Sequence, residues 1–269
     1  MNSEESAALF PAVADHMRMA LTNLHMAAAQ AVPADAREDS PALDRWAAVM
    51  DQSYYLLLRM VNNLSDAGYL TGEKKIHPKD CDLANLVGDV CTRSIDLAED
   101  MGLYLGFRCP MDHCPAYADP EALRMALYQL LSNAVKFTPA GGSITVELKA
   151  DGDTARILVS DTGPGIPEEQ LATIFERYRH PERMDPPPHG LGLGLALCLG
   201  VAQAHGGRML VESRKGCRVT MELPVLRRER PEIVFVHDVL PVYGNGFNPT
   251  LLGLADALPS QAFLIRSVE

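Results

Sequence analysis

Three short motifs, met in a fixed order between Leu127 and Leu197, limit what this chain can fold into more than any other feature. They read QLLSNAVKFTP over residues 129–139, DTGPGIP over 161–167 and GLGLGLAL over 190–197, with IFERYR over 174–179 between the last two. One glycine motif alone carries little weight, because loops are rich in glycine. Four motifs in this order and at this spacing are specific.

The chemistry of each motif points to a nucleotide. In QLLSNAVKF, Leu127, Leu130, Leu131, Ala134 and Val135 recur at helical spacing, which leaves Gln129, Asn133 and Lys136 together on the opposite, polar face. An amide oxygen is a hard ligand for magnesium and an ammonium is a point charge for phosphate; an ordinary amphipathic helix with a solvated face is the simpler alternative. DTGPGIP follows the strand-like run ARILVS, so Asp161 stands where a strand gives way to a loop. Gly163 and Gly165 allow the backbone close to a flat ligand, and Pro164 and Pro167 restrain the loop. A buried carboxylate there accepts a hydrogen bond from an exocyclic amine such as that of adenine; the alternative is a tight turn capped by an aspartate. In GLGLGLAL the glycines open a helix, whose first amides and dipole favour a bound phosphate. A glycine run for helix packing is the alternative. It leaves unexplained the polar, proline-rich HPERMDPPPHG before the motif, which has the composition of a lid over a ligand.

Together these residues resemble the ATP-binding domain of the sensor histidine kinases, within the group that also holds gyrase, the Hsp90 chaperone and MutL. The resemblance covers roughly Pro78 to Val225. It implies that Asn133 holds magnesium, that Lys136 contacts phosphate and that Asp161 reads the adenine amine. Gly163, Gly165, Ile166, Gly190, Leu191, Gly192, Leu193 and Gly194 would shape the ATP pocket. IFERYR is similar to the phenylalanine-centred box at the start of the lid, with Phe175 at its centre, and HGGRMLVES and RVTMELP to the closing strands. Gln129 stands where the family has the first asparagine of NLLxN. It keeps an amide on a longer arm, as a second candidate magnesium ligand.

A chain of 269 residues suggests about two domains, and 47% hydrophobic content allows each a core. The formal net charge of -11 argues against a nucleic-acid binder, which needs a basic face. Six cysteines with no CxxC pair, mostly in apolar contexts, read as reduced core residues; Cys109, His113 and Cys114 form the one combination with a metal alternative. MNSEESAALF is acidic where a signal peptide would be basic, and no apolar run approaches the ~20 residues of a membrane span. The expectation is a cytoplasmic chain.

Residues 4–31 read as one helix with Phe10, Val13, Met17, Ala20, Leu24 and Ala27 at alternating spacings of three and four. After VPADAREDSP a second helix carries Leu43, Trp46, Met50, Tyr54, Leu57, Met60, Leu64 and Ala67. Two such helices make an antiparallel hairpin, and its apolar seam requires a partner. A second copy gives a four-helix bundle; packing on the chain's own ATP domain is the alternative. The charged GEKKIHPKD marks a linker near residues 71–80.

The hairpin again resembles histidine kinases, whose first bundle helix carries the phosphoacceptor in a stretch like HELRTPL. DHMRMAL at 15–21 aligns through Arg18 and Leu21, which places Asp15 at the histidine position and His16 at that of its acidic neighbour, with Ala20 for the proline. Acceptor and acid are inverted. Asp15 lies opposite the apolar stripe and His16 about 100° round the helix. His16 is the candidate acceptor, with Asp15 as the supporting acid; an ordinary surface histidine is the alternative. His25 has no acid beside it in sequence.

Residues 82–102 read as a helix and LYLGFRC as a strand; beyond Val225, PEIVFV reads as a strand and NPTLLGLADAL as a short helix capped by Asn248. The expected architecture is α+β: a dimerisation and phosphoacceptor-like hairpin at 1–72, an α/β-sandwich ATP-binding domain at 78–225, and an extension at 226–269 without an assigned role. The resemblance implies a homodimeric kinase that passes the γ-phosphate of MgATP to a histidine and on to a response-regulator aspartate. Two rivals stay open: a pseudokinase or adaptor that docks a regulator or another kinase through its bundle, and a serine/threonine kinase or ATP-driven switch of the same superfamily.

Overall fold

The computed structural model describes residues 3–171, 173–176, 192–225 and 248–265. The N-terminal part is helical. Helix α1 (Ser3–Ala31) runs to a one-turn connection, α2 (Ala34–Asp39), and α3 (Pro41–Asp66) returns antiparallel along α1. Ser40 caps α3 by accepting from the amide of Leu43, and Pro41 occupies the first turn, where a missing N–H costs nothing. A further turn, α4 (Gly68–Thr71), ends at Gly72 in the left-handed conformation, and the linker follows.

The ATP-domain segment is a two-layer sandwich. A five-stranded sheet has the order β2 (Tyr104–Arg108), β4 (Ser143–Asp151), β5 (Thr154–Asp161), β7 (Gly216–Pro224), β6 (Arg208–Arg214), with β2 parallel to β4 and the rest antiparallel. A small ribbon pairs β1 (Lys79–Asp82) with β3 (Pro115–Ala118). Alternation along β4 buries Ile144, Val146 and Leu148. Their register partners Val159 and Ile157 on β5, then Val219 and Met221 on β7, continue the same rows across the sheet. That face carries α5 (Leu83–Asp100), α6 (Pro120–Phe137) and α8 (Gly194–Ala204), whose buried leucines and alanines complete the core. Asp82 caps α5 through the amide of Ala84, and Asp119 caps α6 through those of Glu121 and Ala122. A single helical turn, α7 (Glu168–Leu171), follows the DTGPGIP loop.

The tail, which the sequence left unplaced, returns across both parts. Asn248 caps α9 (Pro249–Leu254) by accepting from the amides of Thr250 and Leu251, and a 3-10 turn (Ser260–Phe263) follows. Leu251, Leu254, Leu258 and Phe263 are buried, against α6 on one side and α3 on the other. The expected strand PEIVFV lies outside the described residues.

The hairpin is rotated relative to the expected seam. Between α1 and α3 lie Ala14, Arg18, Leu21 and His25, one position on from the predicted stripe: Arg18 Nε donates to Asn62 Oδ1 at 2.9 Å and His25 meets Tyr54. The second helix buries Ala47, Ala48, Tyr55, Leu58 and Val61, and of these Ala48 and Tyr55 join the core shared with the tail and the ATP domain. The packing alternative therefore holds for that face. Of the predicted seam, Val13, Met17 and Leu24 on α1 and Leu43, Trp46, Met50 and Leu57 on α3 face outward, with Trp46 70% exposed.

Candidate active site around the C-terminal half of α6

The sequence motifs meet at one helix. Gly194 begins α8 against the polar side of α6: a Cβ added there would stand 3.0 Å from Gln129 Oε1 and 3.8 Å from Asn133 Nδ2. Glycine thus eases the close approach of the α8 N-terminus to the Gln129 amide, with the Asn133 amide at ordinary contact distance. The DTGPGIP loop reaches the end of the same helix, since a Cβ on Gly163 would lie 2.5 Å from the Phe137 carbonyl oxygen. Two stretches distant in sequence, the DTGPGIP loop and the α8 N-terminus, so meet the C-terminal half of α6.

Asp161 closes β5, where its backbone pairs with Ile144 on one side and Cys217 on the other. Its Oδ1 accepts from the amides of Gly163 at 2.9 Å and Cys217 at 3.2 Å. Burial raises the Asp161 pKa above the usual carboxylate value, with those two amides opposing the shift. Beside it opens a hollow of about 580 Å³ lined by Ser160, Ser213 and Cys217 among others. The amide of Ile166 donates to Oγ of the lining residue Ser213 at 2.6 Å, and Phe175 is half-buried against the core. Leu193 is buried ahead of α8, and Gly192 takes φ +64. Gly190 and Leu191, with the second half of IFERYR and the lid-like segment, lie outside the described residues.

The polar face of α6 departs from the expectation. Gln129 is not on a solvated surface but 5% exposed: its Oε1 accepts from Arg59 Nη2 at 2.7 Å and its Nε2 donates to Asn63 Oδ1 at 2.6 Å. Docking of α3 covers this turn of the helix. With its oxygen held by a guanidinium, Gln129 does not fit as a magnesium ligand in this arrangement, whereas the amide of half-buried Asn133 stands at the α8 N-terminus and fits.

Lys136, the candidate phosphate cation, is paired with Asp256 from the tail. Ser132 Oγ donates to Asp256 Oδ1 at 2.6 Å, and Arg59 Nε lies 3.2 Å from the same oxygen. Burial alone would raise the Asp256 pKa, but Arg59 and Lys136 outweigh it and hold the carboxyl below its ordinary value. Burial lowers the Lys136 pKa, opposed by Asp256. Arg59, Asn63, Ser132 and Asp256 were not singled out from sequence. A legible signal existed, since an arginine in the apolar run LLLRM and an aspartate in LLGLADAL each require a buried partner.

At the hairpin, Asp15 and His16 are both exposed, and Asp15 forms an ion pair with Arg18. His25, without an acid neighbour in sequence, has one in space: Asp51 Oδ1 of α3 lies 3.6 Å from its Nδ1. Among the described residues the six cysteines are free thiols, and no group of three or more His, Cys, Asp or Glu side chains is placed to hold a metal ion. The Cys109–His113–Cys114 combination resolves instead into a Cys109 thiol donating to the Met111 carbonyl oxygen and a His113–Asp82 pair at 2.7 Å. No described helix is long and apolar enough to cross a membrane.

Comparison with known proteins agrees with this geometry. Residues 118–227 match the family described as histidine kinase-, DNA gyrase B- and HSP90-like ATPase. The adaptive-response sensory kinase SasA of Synechococcus elongatus is 36% identical over 177 residues, 64% of this chain and 46% of that protein. The SasA of a Synechocystis strain is 32% identical over 195 residues, 71% of this chain and 51% of that protein. The chain thus spans about half the length of the curated relatives it matches. Among solved structures, the catalytic domain of histidine kinase ThkA superposes with a TM-score of 0.51 at 25% identity, over 56% of this chain and 97% of that one. Full-length ShkA, solved in complex with AMPPNP, gives 0.65 at 26% identity over 83% of this chain and 47% of that one. Residues 118–227 thus carry the histidine kinase-, DNA gyrase B- and HSP90-like ATPase match, and with the hairpin before them the chain is similar to the catalytic cores of histidine kinases.

Proposed function

We propose that this chain is a cytoplasmic, homodimeric protein histidine kinase of a two-component system, which phosphorylates itself on His16 and passes the phosphoryl group to a response-regulator receiver aspartate. The observation that carries the reading is the convergence of Asn133, Asp161 and the Gly194 helix start around the end of α6. Asp161 is held by two backbone amides at the end of β5, which suits it to accept from the adenine amine. The α8 N-terminus directs its dipole at the phosphates. Asn133 would hold magnesium, which when bound neutralises charge on the β- and γ-phosphates. The imidazole of His16 attacks the γ-phosphorus, the bond to the bridging oxygen breaks, ADP leaves, and the proton lost from the ring passes to an acid-base group, for which Asp15 is the candidate. The outward stripe of Val13, Met17, Leu24, Trp46, Met50 and Leu57 supports a second copy completing a four-helix bundle. The structure of ThkA with the response regulator TrrA, 21% identical to this chain, speaks for a like fold alone.

One observation favours the adaptor reading instead. Gln129 and Lys136 are both engaged by protein partners, so the same core also suits a chain that docks a regulator or another kinase without phosphorylating itself. Labelling with γ-³²P-ATP and magnesium separates the two. Label that survives base, is lost in acid and disappears in His16→Gln supports the kinase; nucleotide binding with no label on long incubation supports the adaptor.

A further inference from the structure

The tail is built around one charge. Between Asn248 and Ile265 the only charged residue is Asp256, in a segment that otherwise buries Leu251, Leu254, Leu258, Ala262 and Phe263. That charge is not left in water. Asp256 is 9% exposed and receives Lys136, Ser132 Oγ and Arg59 together. Two cations and a hydroxyl around one carboxylate form an anion site whose charge is not balanced, with an excess of one positive charge. Arg59 Nε, fully buried, lacks a geometrically sound hydrogen bond despite its proximity to the carboxylate. A phosphate, with more negative charge and more acceptor oxygens than a carboxylate, satisfies such a cluster better.

The same segment fastens the hairpin. Gln52 donates to the Leu258 carbonyl oxygen at 2.9 Å, Arg37 Nη2 to that of Phe263 at 2.8 Å, and the amide of Asn248 donates to Tyr55 Oη at 3.0 Å. Arg59, itself a hairpin residue, completes the connection by donating to Gln129 of α6. Holding Lys136 and holding the hairpin against the ATP domain are therefore one event.

We propose that residues 248–263 are an autoinhibitory latch, in which Asp256 occupies Lys136 in place of nucleotide phosphate and phosphate binding releases both the tail and the hairpin. The proposal rests on the reading of Lys136 as a phosphate contact. Release frees an ammonium for the ligand and lets α3 leave the ATP domain, the freedom a γ-phosphate needs to reach a histidine on α1. Reciprocity follows: whatever loosens the tail tightens ATP, and ATP loosens the tail.

The test uses the full-length chain with two probes, MgATP and adenosine, which shares the base but has no phosphate. Calorimetry on the parent and on Asp256→Asn, which keeps the side-chain shape, is expected to show ATP bound roughly 5- to 150-fold more tightly by the variant. Adenosine affinity should stay unchanged. In the parent, MgATP and not adenosine should accelerate amide hydrogen exchange across residues 250–263. If ATP affinity is equal or weaker in the variant while adenosine still binds, or if exchange of the tail is indifferent to ATP, the latch is overturned and the pocket stands. Failure of parent and variant alike to bind either probe overturns the nucleotide reading itself, and the latch with it.

Discussion

Arg59 of the hairpin donates to Gln129 of the ATP domain at 2.7 Å, a bond between two buried side chains 70 positions apart. It joins the two halves at the helix where the sequence motifs converge. Replacing Arg59 by Ala removes a guanidinium that also faces Asp256 and the Leu252 carbonyl oxygen, and leaves Gln129 Oε1 without that donor. Breaking a buried ionic group from one side costs about 3–5 kcal/mol. Arg59→Met, which retains the bulk, is expected to cost less. Urea denaturation of the three chains checks the order, and a neutral Arg59→Ala would contradict the burial seen here.

Asp161→Asn tests the pocket. The amides of Gly163 and Cys217 retain an acceptor in the variant, so the fold should survive. The side chain instead offers a donor where the adenine amine requires an acceptor. An unpaired buried amine costs about 1–3 kcal/mol, or roughly 5- to 150-fold in ATP affinity. Calorimetry that finds equal affinities refutes the assignment.

Assembly is best probed at the outward stripe. Deleting the hairpin would also strip Tyr55 from the tail and Arg59 from Gln129 of the ATP domain, so loss of a dimer could follow from damage alone. Trp46→Glu alters a side chain that is 70% exposed and leaves the inner face of α3 intact. Light scattering is expected to show a dimer for the parent at micromolar concentration and a monomer for Trp46→Glu. A parent that is itself monomeric would defeat the bundle.

His25 stacks on Tyr54, their ring centroids 4.0 Å apart and their planes 8° from parallel. Burial pushes its pKa below the ordinary value of about 6.5, with Asp51 opposing and Arg37 adding to the shift. A histidine depressed on folding binds its proton more readily when unfolded, so its contribution to stability is lost as pH falls from about 6.5 through the folded value. Thermal unfolding from pH 7.5 to 5 should therefore fall more steeply for the parent than for His25→Gln. Parallel curves would contradict the shift.

Much of the fold was legible because its signals are local. The α6 and α8 helices, the strand before Asp161 and the Asn248 cap follow from periodicity and capping chemistry within a few residues. The hairpin rotation was not legible, because the stripes 13/17/24 and 14/18/21/25 both repeat at helical spacing, and only the pairing of α1 with Tyr54 and Asn62 of α3 shows which one faces inward. The partners of Gln129 and Lys136 were illegible for a like reason. Arg59 and Asp256 lie 70 and 120 positions away from them, and nothing in either stretch names the other. His25 likewise acquired its acid, Asp51, only when α1 and α3 paired.

The last turn of the tail also sets an order of events during synthesis. The sheet is complete once β7 has been made at Pro224, and its strands pair within the segment 104–224. The inner face of α3, made much earlier, finds part of its cover only in residues 248–263, as the bond from Arg37 to Phe263 across 226 positions shows. A growing chain therefore holds a finished sandwich beside an apolar helix face still waiting for its lining. During that interval the hairpin is open to whatever else binds an amphipathic helix, a chaperone or a neighbouring nascent copy included.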